Sequence, residues 1–158
     1  MNWAEVTEAA PELAAKVRSR FEAHGLALLA TLRKDGSPRI TGIETLFGEG
    51  ELWLGMMPRS LKANDLLRDP RLALHSATVD KMVANGDAKL SGAGVHVEDE
   101  ETFERYRKAS GGAQGQSFGG FHLFRVDVKE MSHLAPAGDH LDIESWTEER
   151  GYRQVDRY

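Results

Sequence analysis

Three short apolar runs separated by tight-turn signals constrain the fold of this chain more than any other feature. "LALLATL" (26–32) is followed by "RKDG" (33–36) and then by "SPRITGIETLF", rich in β-branched residues; "GEG" (48–50) leads into "ELWLGMM". Leu and Ala alone tolerate a helix over 26–32, and the turn with the β-branched run behind it decides for strands. Strands joined by connections this short pair antiparallel, because parallel neighbours need a crossover of about a dozen residues or more. The sheet therefore starts as an antiparallel meander.

The rest of the chain extends that pattern. Ahead of the meander, Pro11 suits the first turn of a helix over about 11–24, Leu13, Val17 and Phe21 recur on one face, and Gly25 ends it. From Ser60 the period becomes helical, with Leu61, Ala63, Leu66 and Leu67 as the expected apolar face and Asp69-Pro70 as the stop. "RLALHSA" (71–77) and "DAKLSGAGVHV" (87–97) read as strands around an exposed connection at 78–86. "EDEETFERYRKAS" (98–110) is a polar helix with acids first and bases last, matching the helix dipole. A flexible loop is expected over 111–120, then one or two strands in "FHLFRVDVKEMSHLA", and one or two more from "HLDIESW" and "YRQVDRY". The expected fold is mainly β (α+β): a six- to seven-stranded antiparallel split or closed barrel with short flanking helices, one domain over 1–158.

Composition removes several functions. A chain of 158 residues buries roughly two-thirds of its unfolded surface. Its net charge of −5 and its dispersed Lys and Arg argue against nucleic acid as a partner. The absence of cysteine excludes disulfides, thiolate nucleophiles and zinc–sulfur sites. The first residues carry acids and no apolar core, unlike a signal peptide, and no apolar run approaches the roughly 20 residues of a membrane span. A cytoplasmic protein without membrane contact is expected. The histidines at 24, 96, 122, 133 and 140 lack metal-ligand spacing, so no metal site is expected.

The stretch "GMMPRSLKANDLLRDP" (55–70) carries the most chemistry. It runs from a strand into a helix whose N-cap is Ser60, with Arg59 and Lys62 alongside. A helix N-terminus offers free N–H groups and about half a positive charge, which suits a phosphate. An ordinary capped helix with two solvated bases satisfies the same residues.

The order of elements breaks that tie. A strand ending in Ala30-Thr31-Leu32, an Asp35-Gly36-x-Pro38 turn, the Ser60–Ala63 segment, and Asp69-Pro70-Arg71 before a strand together resemble the pyridoxamine 5′-phosphate oxidase-like family of flavin-binding split barrels. Residues 26–76 carry the likeness; "KLSGAGVHVEDEE" and "FHLFRVDVKEM" resemble later parts of that family more loosely. The resemblance implies FMN as cofactor, with its phosphate held by Ser60 and Lys62. The usual middle base of the cradle is Leu61 here, and Arg59 stands beside it as the substitute. The ring is expected along "RITGIE", next to Arg39, Thr41, Gly42 and Ile43, with the family's basic phosphate ligand on that strand aligning nearer Thr41. Met56 and Met57 line either cofactor or core, His75 faces the pocket or ends a strand, and Trp146 completes the site of a second subunit or fills the barrel end. Glu44 either reaches the ring or meets solvent.

The resemblance further implies a homodimer with flavin at the interface and an oxidoreductase acting on a small organic substrate. No side-chain acid or base stands out, and the flavin carries the difficult chemistry in such enzymes. An 8-hydroxy-5-deazaflavin is the alternative cofactor, and a non-catalytic flavin- or haem-binding module the alternative role. "SWTEERGYRQVDRY" matches poorly the Arg-rich substrate-phosphate site of pyridoxamine 5′-phosphate oxidase itself.

Overall fold

The computed structural model describes residues 1–112 and 116–158. The expected three-strand meander divides into two antiparallel hairpins at opposite ends of the sheet order, because the middle run breaks and its two halves take different partners. β1 (Leu26–Leu32) pairs antiparallel with β2 (Pro38–Glu44), with Leu28 opposite Gly42. The turn between them is held by the Asp35 carboxylate, which accepts from the Ser37 amide at 3.0 Å and hydroxyl at 2.6 Å. β3 (Leu46–Gly48) and β4 (Glu51–Met56) form the next hairpin, turning through Glu49 and Gly50 at φ 52° and 76°. Positive φ at both central residues matches the twist of the flanking strands.

β5 (Arg71–Ser76), β6 (Asp87–His96), β7 (His122–Ala137), β8 (His140–Thr147) and β9 (Gly151–Arg157) complete the sheet. Its order is β2-β1-β5-β6-β7-β4-β3, with β8 added to β7 and β9 to β8, and every pairing is antiparallel. The 16-residue β7 does two jobs, pairing with β4 at its start and β8 at its end while β6 runs along it. The β6–β7 pairing slips at Ser91/Gly92, where a Cβ on Gly92 would stand 1.9 Å from the Asp127 carbonyl oxygen, so only glycine fits.

Among the described residues, nine strands replace the six or seven expected. "SPRITGIETLF" breaks at Thr45 into β2 and β3, and the C-terminal run forms a full hairpin, β8 with β9. Four helices flank the sheet. α1 (Trp3–Ala9) precedes the expected helix and is capped reciprocally by Asn2 and Glu5. α2 (Pro11–Glu22) buries Leu13, Val17 and Phe21 as its spacing implies. α3 (Leu61–Arg68) departs from expectation: Ala63 and Leu66 are buried, but Leu61 and Leu67 are 61% and 48% exposed, and the third buried residue is Asp65. Leu67 lies about 100° around the helix from Leu66, so it leaves the sheet that Leu66 contacts. α4 (Glu100–Ala109) covers a smaller cluster of Trp53, Val97, Phe103, Tyr106 and Leu123, apart from the main core under α1 and α2. The central part of the loop expected over 111–120 lies outside the described residues. No helix among the described residues is long and apolar enough to cross a membrane.

Candidate functional site

β2 is an edge strand, and the chain from β4 into α3 runs beside it without pairing to it. The space between them is a cleft of about 710 Å³, within the roughly 300–1,000 Å³ usual for small-molecule sites. Strand alternation puts Gly42 and Glu44 on one face of β2, and both line the cleft. Met56, Met57, Arg59 and Ser60 form the opposite wall.

At one end of the cleft stands the N-terminus of α3. Ser60 is its N-cap, accepting from the Ala63 amide through its hydroxyl at a loose 3.4 Å. The first amides of any helix have no acceptor within it, so this end presents donors. Lys62 reaches across to β2 and donates to the Gly42 carbonyl at 2.6 Å. Burial pulls its pKa below the usual lysine value. A half-buried charge gains more from an anion than one fully in water does.

The other end is built to be approached. A Cβ on Gly42 would meet nothing within 4 Å, so packing inside the protein does not require glycine there. The residue leaves a bare stretch of backbone facing the cleft, where a flat ring can lie close. These features fit a phosphorylated planar cofactor: donors and cations at one end, an open strand face with Met56 and Met57 along the remainder. Met56 is 3% exposed and belongs also to the core, whereas Met57 is 79% exposed.

Gly42, Ile43, Met56, Met57, Arg59, Ser60 and Lys62 thus come together. The other four expected residues lie elsewhere. Arg39 bonds the Asp65 carboxylate through Nε at 2.6 Å, in a separate groove beside Leu61. Thr41 is on the face of β2 opposite Gly42, its Oγ1 buried without a partner among the described residues. His75 lies on β5 in another groove, against Leu28 and Ile40. Trp146 is 3% exposed and opposite Met131 on β7, within the main core. For Arg39 and Trp146 a partner distant in sequence, Asp65 and Met131, fixes the position.

The cleft also contains Leu26, Gly55 and Pro58, which sequence reasoning missed. Leu26 enters because it stands opposite Glu44 in the β1–β2 register. Gly55 had a signal, a glycine inside the apolar run "ELWLGMM", and in the structure it is the one exposed position of β4.

Residues 13–135 match the family described as pyridoxamine 5′-phosphate oxidase. The chain belongs to this family. No curated protein matches it. Among solved structures, a pyridoxamine 5′-phosphate oxidase-related, FMN-binding protein from Nostoc punctiforme aligns with a TM-score of 0.65 at 13% identity, covering 94% of this chain and 96% of that one. PhzG from Burkholderia lata, solved with tetrahydrophenazine-1-carboxylic acid, aligns with a TM-score of 0.65 at 14% identity, covering 96% and 91%. A heme binding protein from Mycobacterium smegmatis aligns with a TM-score of 0.61 at 14% identity, covering 90% and 87%. At these identities the likeness is one of fold, and the same fold occurs in one protein described as FMN-binding and in another described as heme binding.

Proposed function

We propose that this chain is an FMN-dependent oxidoreductase that works on a small organic substrate as a homodimer. The observation that carries the reading is the pairing, in one cleft, of a helix N-terminus flanked by Ser60, Arg59 and Lys62 with the open backbone at Gly42. Ser60 and Lys62 hold the phosphate, and Arg59 adds charge from the rim. The backbone of Gly42 and Ile43 supports the ring. FMN, when bound, supplies hydride or electron transfer, and the protein's part is to hold and orient it.

The lining favours FMN over the other cofactors of this fold. Its cations are Arg59 and Lys62, set against the acid Glu44, which suits one phosphate better than a long acidic tail. Among the described residues the lining holds no histidine or tyrosine to ligate a haem iron. A second copy of the chain has a natural seat next to the cleft. Leu26, Leu28 and Ile40 stand 53%, 45% and 69% exposed on the same outer face of β1 and β2 as Gly42.

The test is FMN titration of wild type and Lys62→Ala, after mass identification of any chromophore released from the purified protein. The variant should bind FMN about 1–3 kcal/mol more weakly, the range for losing a hydrogen bond to a charged group. Equal affinity in both removes the phosphate assignment; release of a deazaflavin instead of FMN replaces the cofactor.

A further inference from the structure

A second, smaller pocket of about 320 Å³ adjoins the cleft. Pro58 lines both, and Gly55, in the wall of the first, faces Phe121, in the wall of the second, with an added Cβ at 3.5 Å from that ring. Its walls are aromatic. Phe103 is buried, and Phe118 and Phe121 stand 5.6 Å and 5.9 Å from it between ring centroids. The rings of His96 and His122 lie side by side at 5.6 Å.

The polar side chains at this pocket are the imidazoles of His96 and His122 and the carboxylate of Glu98. His122 Nε2 is 3.1 Å from the Pro58 carbonyl oxygen, which can only accept, so a ring proton sits on Nε2, and in the neutral ring Nδ1 is then the acceptor. The second acceptor is the exposed carboxylate of Glu98 at the rim. No group of three or more His, Asp or Glu among the described residues is placed to hold a metal, so the two histidines and Glu98 do not form a metal site. Aromatic walls favour a flat ring, and the exposed Glu98 carboxylate at the rim favours a ligand that donates and disfavours a carboxylate.

We infer that this pocket binds the ring of a neutral, hydroxyl- or amino-substituted aromatic molecule and presents it to the adjoining cleft. As a substrate site it rests on the flavin reading; as a binding site it does not. Phe118 forms one wall, His122 Nδ1 takes the donated proton's hydrogen bond, and Pro58 joins pocket to cleft.

The experiment is ligand-observed NMR titration with phenol and aniline, with benzoate as the charged control, on protein with and without added FMN. Phenol or aniline should bind, benzoate at least tenfold more weakly. Phe118→Ala, at an exposed position, and His122→Phe, which keeps the ring but loses the acceptor, should each weaken binding fivefold or more. No binding of phenol or aniline, equal binding of benzoate, or binding indifferent to both substitutions overturns the inference. Phenol binding without any FMN affinity leaves the pocket standing and sinks the flavin reading; FMN binding without phenol or aniline does the reverse.

Discussion

Asp65 shows how much a single residue does at the edge of this site. It sits on α3, 3% exposed, and accepts from Thr31 at 2.8 Å, Arg39 at 2.6 Å and Arg68 at 3.0 Å. Burial alone pushes its pKa up, but the hydrogen bonds from Arg39, Thr31 and Arg68 together outweigh burial and hold it below the usual carboxylate value. A carboxylate with a depressed folded-state pKa stabilises above the ordinary carboxylate range, and that contribution drains away as pH falls through the folded value. Asp65→Ala should therefore cost about 3 kcal/mol in urea unfolding at neutral pH, since breaking a buried pair strands its partner. The difference from wild type should shrink in acid; a penalty unchanged there means that charge pairing is not its source. This residue also explains a limit of sequence reading. Arg39 was legible as a base beside the ring strand, but its partner lies 26 positions away on another element. Ser60 and Lys62 were legible because cap, base and helix start are contiguous.

At the scale of elements, periodicity and turn chemistry exposed most of the strands, the Pro11 start of α2 and the Ser60 and Asp69 caps of α3. It did not separate β2 from β3, because Thr45 is as β-prone as its neighbours and only the pairing partners change there. α1 escaped notice although Asn2 and Glu5 form a capping box, because its seven residues show too little periodicity. What fastens α2 to the far hairpin was invisible for the same reason as Arg39's partner. Lys16 on α2 pairs with Glu144 on β8, and Tyr152 on β9 donates to the same carboxylate at 2.9 Å. The Glu144 side chain is only 5% exposed, so its partners lose a buried acceptor together if it is removed. Glu144→Ala should destabilise by about 1–3 kcal/mol, read in urea or thermal melts. Burial, reinforced by the hydrogen bond to Glu144, raises the Tyr152 pKa to about 12. A raised folded-state pKa means stability complete below the ordinary tyrosine value and lost as pH climbs toward the folded one. Tyr152→Phe should therefore flatten the alkaline fall in melting temperature, and an unchanged alkaline limb would assign that fall to other groups.

The whole molecule carries an exposed surface that its own chain does not cover. Leu26, Leu28 and Ile40 form an apolar outer face on the first hairpin, and Met57 and Leu61 project from the neighbouring β4–α3 segment at 79% and 61% exposure. Single exposed apolar residues are ordinary, but a contiguous set beside a binding cleft marks an interaction surface. Cross-strand register, not local sequence, assembles it: Leu28 faces Gly42 and Leu26 faces Glu44, so the patch and the cleft share one side of the sheet. In the proposed homodimer, a second copy seated there would enclose the open side of the cleft and remove water from around Lys62 and any anion it holds. Ile40 tests this well, because it is 69% exposed on an edge strand and a charge there does not enter the core. Ile40→Glu should leave melting of the fold nearly intact while the mass by light scattering drops from twice 17.5 kDa to 17.5 kDa. FMN affinity should fall with it by roughly tenfold, the equivalent of about 1.4 kcal/mol. A variant that stays dimeric places the interface elsewhere, and one that becomes monomeric with undiminished FMN affinity shows that a single chain completes the site.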